Sequence, residues 1–409
     1  MKLLIEYGYI LGVLVLFGCG NNTTSKSSLI DLSSSFNGTE SIKLSDIAID
    51  VSYIQLHTDS VCLLGSIGSP SHDINFCNDK ILISDSKKII VFDISGKYIS
   101  KIESQGKGPG EYHKINGFVF IPDLQQVAIH SAGSRKVLFF SLDGRYIREI
   151  SVLFWPTRMI YFSNSLVFVS PVGRKELTNY YALTVMGLDG SIINRLIYCK
   201  KEKNDEKKND YALSPEGNTI YCLGDCLYFY ERLYDTIWKV GDDFRLLENR
   251  FIFYGNERRP DAHLFKSYQD ENSRTKRLED IYKYILLSDF LETNRYIFFT
   301  FLNKGALARI LYDKMNKNTF HVLIKGSKPG QTKWSLANDI DGGLPFWPMG
   351  CIDGSRVFSL VNPIELMQHF ESSSSEDGIY PSGNHSFLND FRNQVDLLDN
   401  PIIMIATLK

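Results

Sequence analysis

KIIVFDISGKYISKI at residues 88–102 and KVLFFSLDGRYIREI at residues 136–150 are the two stretches of sequence that decide the fold. Placed over each other at an offset of 48 residues, they share a Lys, a Phe, a Gly, a Tyr and two Ile. Each stretch has an apolar run, a turn at Gly96 or Asp143-Gly144, and a second run with alternating Tyr and Ile, which is typical of an antiparallel hairpin. The sequence therefore predicts a repeated unit of short antiparallel strands.

The repeat continues along the chain with a period near 50 residues. A further strand precedes each of the two hairpins, and weaker copies follow at residues 166–197, 226–252 and 295–324. Units of about 40–50 residues with several short strands predict a β-propeller, because one four-stranded blade cannot bury both of its faces without neighbours. The five copies account for five blades of an all-β, six-bladed β-propeller. Seven blades, a β-sandwich pair or another solenoid are the alternatives.

The sixth blade is expected to combine strands from both ends of the chain, at residues 47–56, 355–360 and 402–408. Such a closure removes the free sheet edges that otherwise invite aggregation. The propeller would then occupy residues 41–409 and would be closed by its N-terminal and C-terminal strands.

Two insertions carry the spacing of an amphipathic helix instead of a strand. The first covers residues 276–287, and the second lies between Pro363 and Asn400. The apolar side chains that recur at helical spacing are Leu278, Ile281, Tyr282 and Ile285 in the first insertion and Phe387, Leu388, Phe391 and Val395 in the second. We expect both insertions to form short helices at the rim of the propeller.

The composition excludes some classes of partner and protein. The chain has 409 residues, with 45 Lys and Arg against 47 Asp and Glu, so its net charge of −2 gives no electrostatic reason to expect a nucleic-acid partner. With 44% hydrophobic residues the chain can bury a large core, unlike a disordered protein.

The N-terminus has the pattern of a secretory signal. Its apolar run at residues 10–17 is too short to cross a bilayer as a helix, for which about 20 residues are needed. The tetrad Leu16-Phe17-Gly18-Cys19 resembles a bacterial lipobox, in which the cysteine is acylated. We therefore expect a signal peptide at residues 1–18, lipidation at Cys19, a flexible tether at residues 19–40 and a lipid-anchored protein of the cell envelope. A plain cleaved signal or a chance apolar start is the alternative.

Six further cysteines remain in a compartment that permits disulfides. Cys222 and Cys226 flank a short turn, so they could form a disulfide or could be two small apolar side chains. Their spacing is not that of a structural zinc site, which uses CxxC pairs.

Several features together resemble the six-bladed β-propeller lipoproteins of Bacteroidetes, which look like NHL-repeat propellers. These features are the lipobox, Asp85 after a strand at residues 81–83, Phe92, Gly96-Lys97-Tyr98, the loop QGKGPGEY at residues 105–112 and DNPIIM at residues 399–404. The resemblance implies a propeller fold and an envelope location, but it does not imply an activity.

Some NHL-like propellers are lactonases or amidating lyases that hold a divalent metal on inward-facing side chains. By this resemblance, Asp85, Glu111 and Asp353 are candidates for metal ligands, and calcium would be the metal of such an enzyme. The sequence has no HExxH or GxSxG motif, and the glycine-rich loop lacks the Gly-Lys-Ser/Thr of a phosphate-binding loop. A metal-dependent lactonase or lyase is therefore the alternative function, and no cofactor is expected otherwise.

The preferred interpretation is a non-catalytic binding module for a glycan, a peptide or an envelope protein. The connections between blades should line one face of the ring, where aromatic rings can stack on sugars and charged groups can fix orientation. The candidate binding residues in these connections are Glu111, Tyr112, Trp155, Arg158, Lys333 and Trp334. For Trp155 and Trp334, a place in the core between blades is the alternative.

Overall fold

The computed structural model describes residues 28–37, 42–170, 181–197, 219–231, 235–255, 279, 283–303, 306–322, 335–373 and 395–409. The strands of the first part are β1 (Ser28–Asp31), β2 (Ala48–Gln55), β3 (Ile74–Cys77), β4 (Lys80–Ser84), β5 (Ile89–Asp93), β6 (Tyr98–Ile102), β7 (Gly117–Ile121), β8 (Gln126–Ser131), β9 (Lys136–Ser141), β10 (Tyr146–Ser151), β11 (Arg158–Phe162) and β12 (Ser165–Val169).

The strands of the second part are β13 (Tyr181–Gly187), β14 (Ile192–Ile197), β15 (Thr219–Leu223), β16 (Cys226–Glu231), β17 (Thr236–Val240), β18 (Leu246–Phe253), β19 (Ile285–Glu292), β20 (Tyr296–Asn303), β21 (Ala306–Asp313), β22 (Asn318–Val322), β23 (Gly350–Cys351), β24 (Arg356–Val361) and β25 (Ile402–Leu408). The α-helices are α1 (Leu44–Ile47), α2 (Pro70–Asp73) and α3 (Pro363–Ser373), and Ser35–Asn37 and Pro122–Leu124 form 3-10 turns.

These strands form six sheets that are antiparallel except for the pair of β1 and β18, so the predicted six-bladed β-propeller is confirmed. Blades 1 to 5 are β3–β6, β7–β10, β11–β14, β15–β18 and β19–β22. Blade 6 has the order β2-β25-β24-β23, so a strand near the N-terminus is its outer edge and three C-terminal strands complete it. This sheet contains the strands that the sequence predicts for ring closure.

The sequence repeat lies in the third and fourth strands of blades 1 and 2. Phe92 faces Tyr98 across β5 and β6, and Phe140 faces Tyr146 across β9 and β10. Gly96 and Gly144 take φ values of +88° and +87° in the two turns, a conformation that side chains with a Cβ rarely adopt. The shared glycine is therefore explained by the turn geometry.

Among the described residues, the core consists of six apolar clusters, one between each pair of neighbouring blades. Strand β25 shows how the sequence produces this arrangement. Its side chains alternate, with Ile402, Met404 and Ala406 packing towards blade 5 and Ile403 and Ile405 packing towards blade 1. Because both faces of a middle strand are buried, its sequence is continuously apolar instead of alternating.

The prediction of a helix over residues 276–287 is wrong at the C-terminal end of this range, because Ile285 begins the strand β19. Ile285 and Leu287 are buried between blades 4 and 5, so the apolar run that seemed to complete a helical face belongs to a strand. Apolar runs of this length do not distinguish a strand from a buried helix. Residues 256–278 and 280–282 lie outside the described part of the chain.

In the second insertion, most of the predicted helix also lies outside the described residues, although Val395 is buried. The described helix of this insertion is α3, whose Leu366 is fully buried. The structure therefore has a helix in the insertion, but at residues that the sequence did not indicate.

The stretch predicted as a tether contains an ordered segment. Strand β1 pairs in parallel with β18 and adds a fifth strand to the outer edge of blade 4. Ile30 and Leu32 are buried there, with 4% and 0% of their surface exposed. The prediction of a flexible tether is therefore wrong for residues 28–37, because apolar side chains attach them to the propeller. Cys19 and the predicted signal peptide lie outside the described residues.

Candidate functional site

The first strand of each blade lies at the centre of the ring. Strands β3, β7, β11, β15, β19 and β23 are inner edges of their sheets, and β11 contacts both β7 and β15. Helix α2 contacts β3, β7 and β23, so it lies at the centre as well. Side chains from different blades can therefore meet around the axis.

The two ends of the ring differ in what they carry. At one end, which we call the connection face, the outer strand of each blade leads to the inner strand of the next, and the loops between second and third strands lie there too. The opposite end carries the tight turns between first and second strands. Glu111, Tyr112, Trp155 and Arg158 all lie at the connection face, because they follow β6 or β10 or begin β11.

Four side chains form a polar group at the connection face near the ring axis, which we call the central cluster: His72, Arg158, Thr219 and Asp289. They come from α2 and from the inner strands of blades 3, 4 and 5. The Arg158 guanidinium donates a hydrogen bond to the Thr219 hydroxyl. Three blades and the central helix therefore contribute hydrogen-bonding groups to one place.

The electrostatics of the central cluster depend on Arg158. Burial and the positive charge of Arg158 lower the pKa of His72 to about 3, so this imidazole is neutral at pH 7. Partial desolvation by the surrounding protein raises the pKa of Asp289, although the Arg158 charge and the Phe290 amide act in the opposite direction. Asp289 is nevertheless exposed to solvent. The cluster thus combines a cation, an accessible acid and a neutral imidazole.

An aromatic side chain lies at the same end of the ring. Trp155 follows β10, and 40% of its surface is exposed. The Arg135 guanidinium stacks over its ring at 4.8 Å from the centroid. This cation–π contact holds the indole in place. Trp155 is therefore partly exposed and is not a fully buried core residue.

The glycine-rich loop before blade 2 has a structural role. Glu111 accepts a hydrogen bond from the Gly108 amide at 2.7 Å, and a Cβ at Gly106 would collide with the Glu111 carboxylate. Tyr112 is completely buried between blades 1 and 2, where its hydroxyl donates to the Lys87 carbonyl at 2.8 Å. Tyr112 therefore does not offer a ring to a ligand, and the loop is shaped by packing.

The three acids that were candidates for metal ligands are not brought together. Asp85 caps a turn at the connection face, where it accepts hydrogen bonds from the amides of Gly65, Lys87 and Lys88. Asp353 lies at the opposite end of the ring, in the turn between β23 and β24, and it pairs with Arg356 at 2.7 Å. Because strand length separates them, Asp85 and Asp353 cannot share one ion.

Two further predicted residues, Lys333 and Trp334, lie outside the described part of the chain. The two cysteines at the turn of blade 4 are free. Cys226 faces Leu223 and Cys222 faces Leu227 across the hairpin, so the two thiols point to opposite sides of the sheet. The structure therefore agrees with two separate thiols and not with the disulfide.

A buried ion network between blades 4 and 5 was not indicated by the sequence. Both oxygens of Glu292 accept hydrogen bonds from Arg250 at 2.6 Å, and Lys314 and Tyr221 complete the set at 2.9 and 2.6 Å. Burial opposes ionisation of Glu292, but Arg250 and Lys314 outweigh it, so the pKa of this carboxyl lies below its ordinary value. Its partners lie between 22 and 71 residues away in sequence, which is why no local motif reveals them.

Among the described residues, one group has three potential metal ligands within 4.8 Å of one another: His57, Asp59 and Cys62. None of the three was predicted. An H-x-D-x-x-C pattern in a single loop is the signal that could have indicated them. No helix in the described part of the chain is both long and apolar enough to span a membrane.

A family model described as "Domain of unknown function (DUF4934)" matches residues 27–407. Among solved structures, a protein of Bacteroides fragilis described as exported superposes with a TM-score of 0.70 at 19% identity, covering 93% of this chain and 100% of the other. A member of the DUF4221 family from Bacteroides vulgatus superposes with a TM-score of 0.49 at 12% identity, covering 88% and 97%. No curated protein matches the sequence.

Proposed function

We propose that this chain, which belongs to the DUF4934 family, is an envelope β-propeller. It binds a partner at its connection face without chemical turnover. The partner is a glycan, a peptide or an envelope protein. The location rests on the lipobox, and we propose that acylated Cys19 anchors the protein to a membrane of the envelope.

The central cluster is the observation that carries this proposal. Arg158 and Asp289 present a guanidinium and a carboxyl group near the axis, and a ring of inner strands holds them in place. Charged groups on rigid strands bind polar ligands with little loss of side-chain entropy. Trp155 adds a fixed, partly exposed indole at the same end, which suits stacking on a sugar or an apolar peptide side chain.

The hydrogen bonds of the acids favour binding over catalysis by a metal enzyme. Asp85 is saturated by three backbone amides, and Asp353 is engaged with Arg356 at the other end of the ring. A lactonase-like site needs several oxygen or nitrogen ligands around one ion. The pair Asp85 and Asp353 does not supply them.

The experiment compares two matched arginine variants in a ligand screen. The full chain, purified in detergent, is screened on glycan and peptide arrays, and the best ligand is titrated by calorimetry. We expect Arg158→Met to weaken binding and Arg356→Met, at the opposite end of the ring, to leave it unchanged. Equal affinity of the wild type and Arg158→Met would contradict a ligand site at the central cluster.

A further inference from the structure

The loop that follows β2 carries three side chains with metal-binding chemistry. His57, Asp59 and Cys62 lie where the chain leaves the outer edge of blade 6 and heads for α2 at the ring centre. The His57 Nε2 and Asp59 Oδ2 atoms are 3.3 Å apart. One ring nitrogen of His57, one carboxylate oxygen of Asp59 and the Cys62 Sγ atom all lie within 4.8 Å of one another. The three potential ligand atoms therefore converge on one point.

The loop is held in this conformation independently of any ion. Asp59 Oδ1 accepts the amides of Val61 and Cys62 at 2.8 and 2.9 Å, which leaves Oδ2 facing His57. The Asn400 side chain donates to the carbonyls of His57 and Cys62 at 2.8 and 3.0 Å. A residue from the other end of the chain thus fixes the backbone that carries the three ligands.

The exposure of the three side chains leaves one side of the group open. The side chains of His57 and Asp59 are 52% and 44% exposed, whereas Cys62 is fully buried between blades 1 and 6. An ion could therefore enter from solvent and retain a water molecule, while the sulfur side is closed by the core.

We propose that His57, Asp59 and Cys62 bind a zinc ion, with water as the fourth ligand. Tetrahedral zinc takes imidazole, carboxylate and thiolate ligands at about 2.0–2.3 Å, which places ligand atoms about 3.3–3.8 Å apart. The thiolate and the imidazole select zinc over calcium or magnesium, which prefer oxygen ligands. This site goes beyond the proposed partner binding and does not depend on it.

Binding of zinc releases a proton. The Cys62 thiol, which donates to the His57 carbonyl at 3.1 Å, loses its proton to solvent as the sulfur–zinc bond forms. Because zinc binds the thiolate form, zinc must compete with the proton for this sulfur, and the affinity for zinc falls as the pH falls.

The position of the site gives zinc a role in ring closure. The loop connects the outer strand of blade 6 to blade 1, and Asn400 directly precedes the segment that enters β25. An ion that binds only the folded loop stabilises the folded state by mass action. Zinc would therefore raise the melting temperature of the propeller by strengthening the junction of its two chain ends.

The test measures zinc binding by the full chain in detergent. After removal of metals with EDTA, the protein is dialysed against micromolar Zn²⁺, and bound zinc is counted by mass spectrometry. Cobalt replaces zinc in a parallel sample, where a sulfur-to-cobalt charge-transfer band reports thiolate ligation. We expect one zinc per chain, a cobalt–thiolate band and a higher melting temperature with zinc.

Matched variants assign the ligands. Cys62→Ser keeps a donor to the His57 carbonyl, and His57→Gln changes an exposed side chain, so both should fold. We expect each to lower zinc affinity at least tenfold and Cys62→Ser to abolish the cobalt–thiolate band, whereas Cys77→Ser and His113→Gln retain both. Fewer than one zinc per chain in the wild type, or unchanged affinity in His57→Gln and Cys62→Ser, would overturn the proposal.

Discussion

Two charged groups in this propeller, one around Arg158 and one around Glu292, are built in opposite ways. In the network between blades 4 and 5, both oxygens of Glu292 are occupied by Arg250, and its side chain is only 2% exposed. In the central cluster, Asp289 is exposed to solvent on an inner strand although its pKa is raised. The first group satisfies its own charges, and the second presents them to solvent.

From this difference we expect the two groups to have different roles. A buried carboxylate with four hydrogen bonds joins two blades, and both of its oxygens are occupied. Removing it would leave buried cations without their partner. An accessible acid beside an arginine can form further hydrogen bonds with a ligand. We therefore expect mutations of the first group to change stability and mutations of the second to change binding.

The largest effect is expected for Glu292→Gln. Removing this charge leaves Arg250 and Lys314 without their counterion, and breaking a buried pair costs about 3–5 kcal/mol of the free energy of unfolding. Urea denaturation measures the loss. The affinity of the folded protein for its ligand should not change. If Glu292→Gln were as stable as the wild type but bound the ligand more weakly, the Glu292 group and not the Arg158 group would be the binding site.

A smaller effect, on binding alone, is expected for Arg158→Met. Loss of the guanidinium removes the cation of the central cluster, and one charged hydrogen-bonding contact is worth about 1.5–3 kcal/mol, or at least a tenfold change in affinity. Titration calorimetry with the array ligand measures it. Stability should fall by less than about 1 kcal/mol, because the side chain is only partly buried.

The acid sensitivity of the central cluster gives a third prediction. The pKa of His72 is about 3 in the folded protein and 6.5 ordinarily, so its contribution to stability is complete above pH 6.5 and is lost as the pH falls towards 3. After allowance for partial exposure, we expect the wild type to lose on the order of 1 kcal/mol more than His72→Gln between about pH 7 and pH 4.5. Thermal melts of both proteins across this pH range test the prediction. The same dependence of melting temperature on pH in the wild type and His72→Gln would show that His72 is not desolvated.

The smallest effect is expected at an exposed ion pair of the same chemistry. Arg245 pairs with Asp243 at 3.2 Å, and the two side chains are 81% and 57% exposed. Because solvent screens such pairs, Arg245→Met should change the free energy of unfolding by less than about 0.5 kcal/mol in the same urea experiment. A loss comparable to that of Glu292→Gln would show that burial does not explain the cost at blade 5.

The architecture was predictable because its signals are local. Turns such as the one at Gly96 recur at a fixed spacing, and continuous apolar runs such as that of β25 follow from burial on both faces. The prediction was wrong at Ile285, where an apolar run alone does not distinguish strand from helix. It was also wrong at Ile30, because pairing with a distant strand is not visible in a short segment.

The candidate site was only partly predictable. Arg158 and Trp155 were predicted from their position in a connection between blades, and their role in binding stays a prediction. Tyr112, predicted in the same way, is a buried core residue. His72 and Asp289 were missed, because they approach Arg158 only when separate blades close into a ring. Contacts between blades can thus be recognised only in the three-dimensional structure, whereas blade boundaries can be recognised in the sequence.

The most direct test of the central claim is one titration series with three proteins and one ligand. The wild type, Arg158→Met and Arg356→Met are titrated with the ligand identified on the arrays, under identical salt and pH. The account predicts at least a tenfold weaker affinity for Arg158→Met and wild-type affinity for Arg356→Met. Equal weakening in both variants, or in Arg356→Met alone, would contradict partner binding at the connection face.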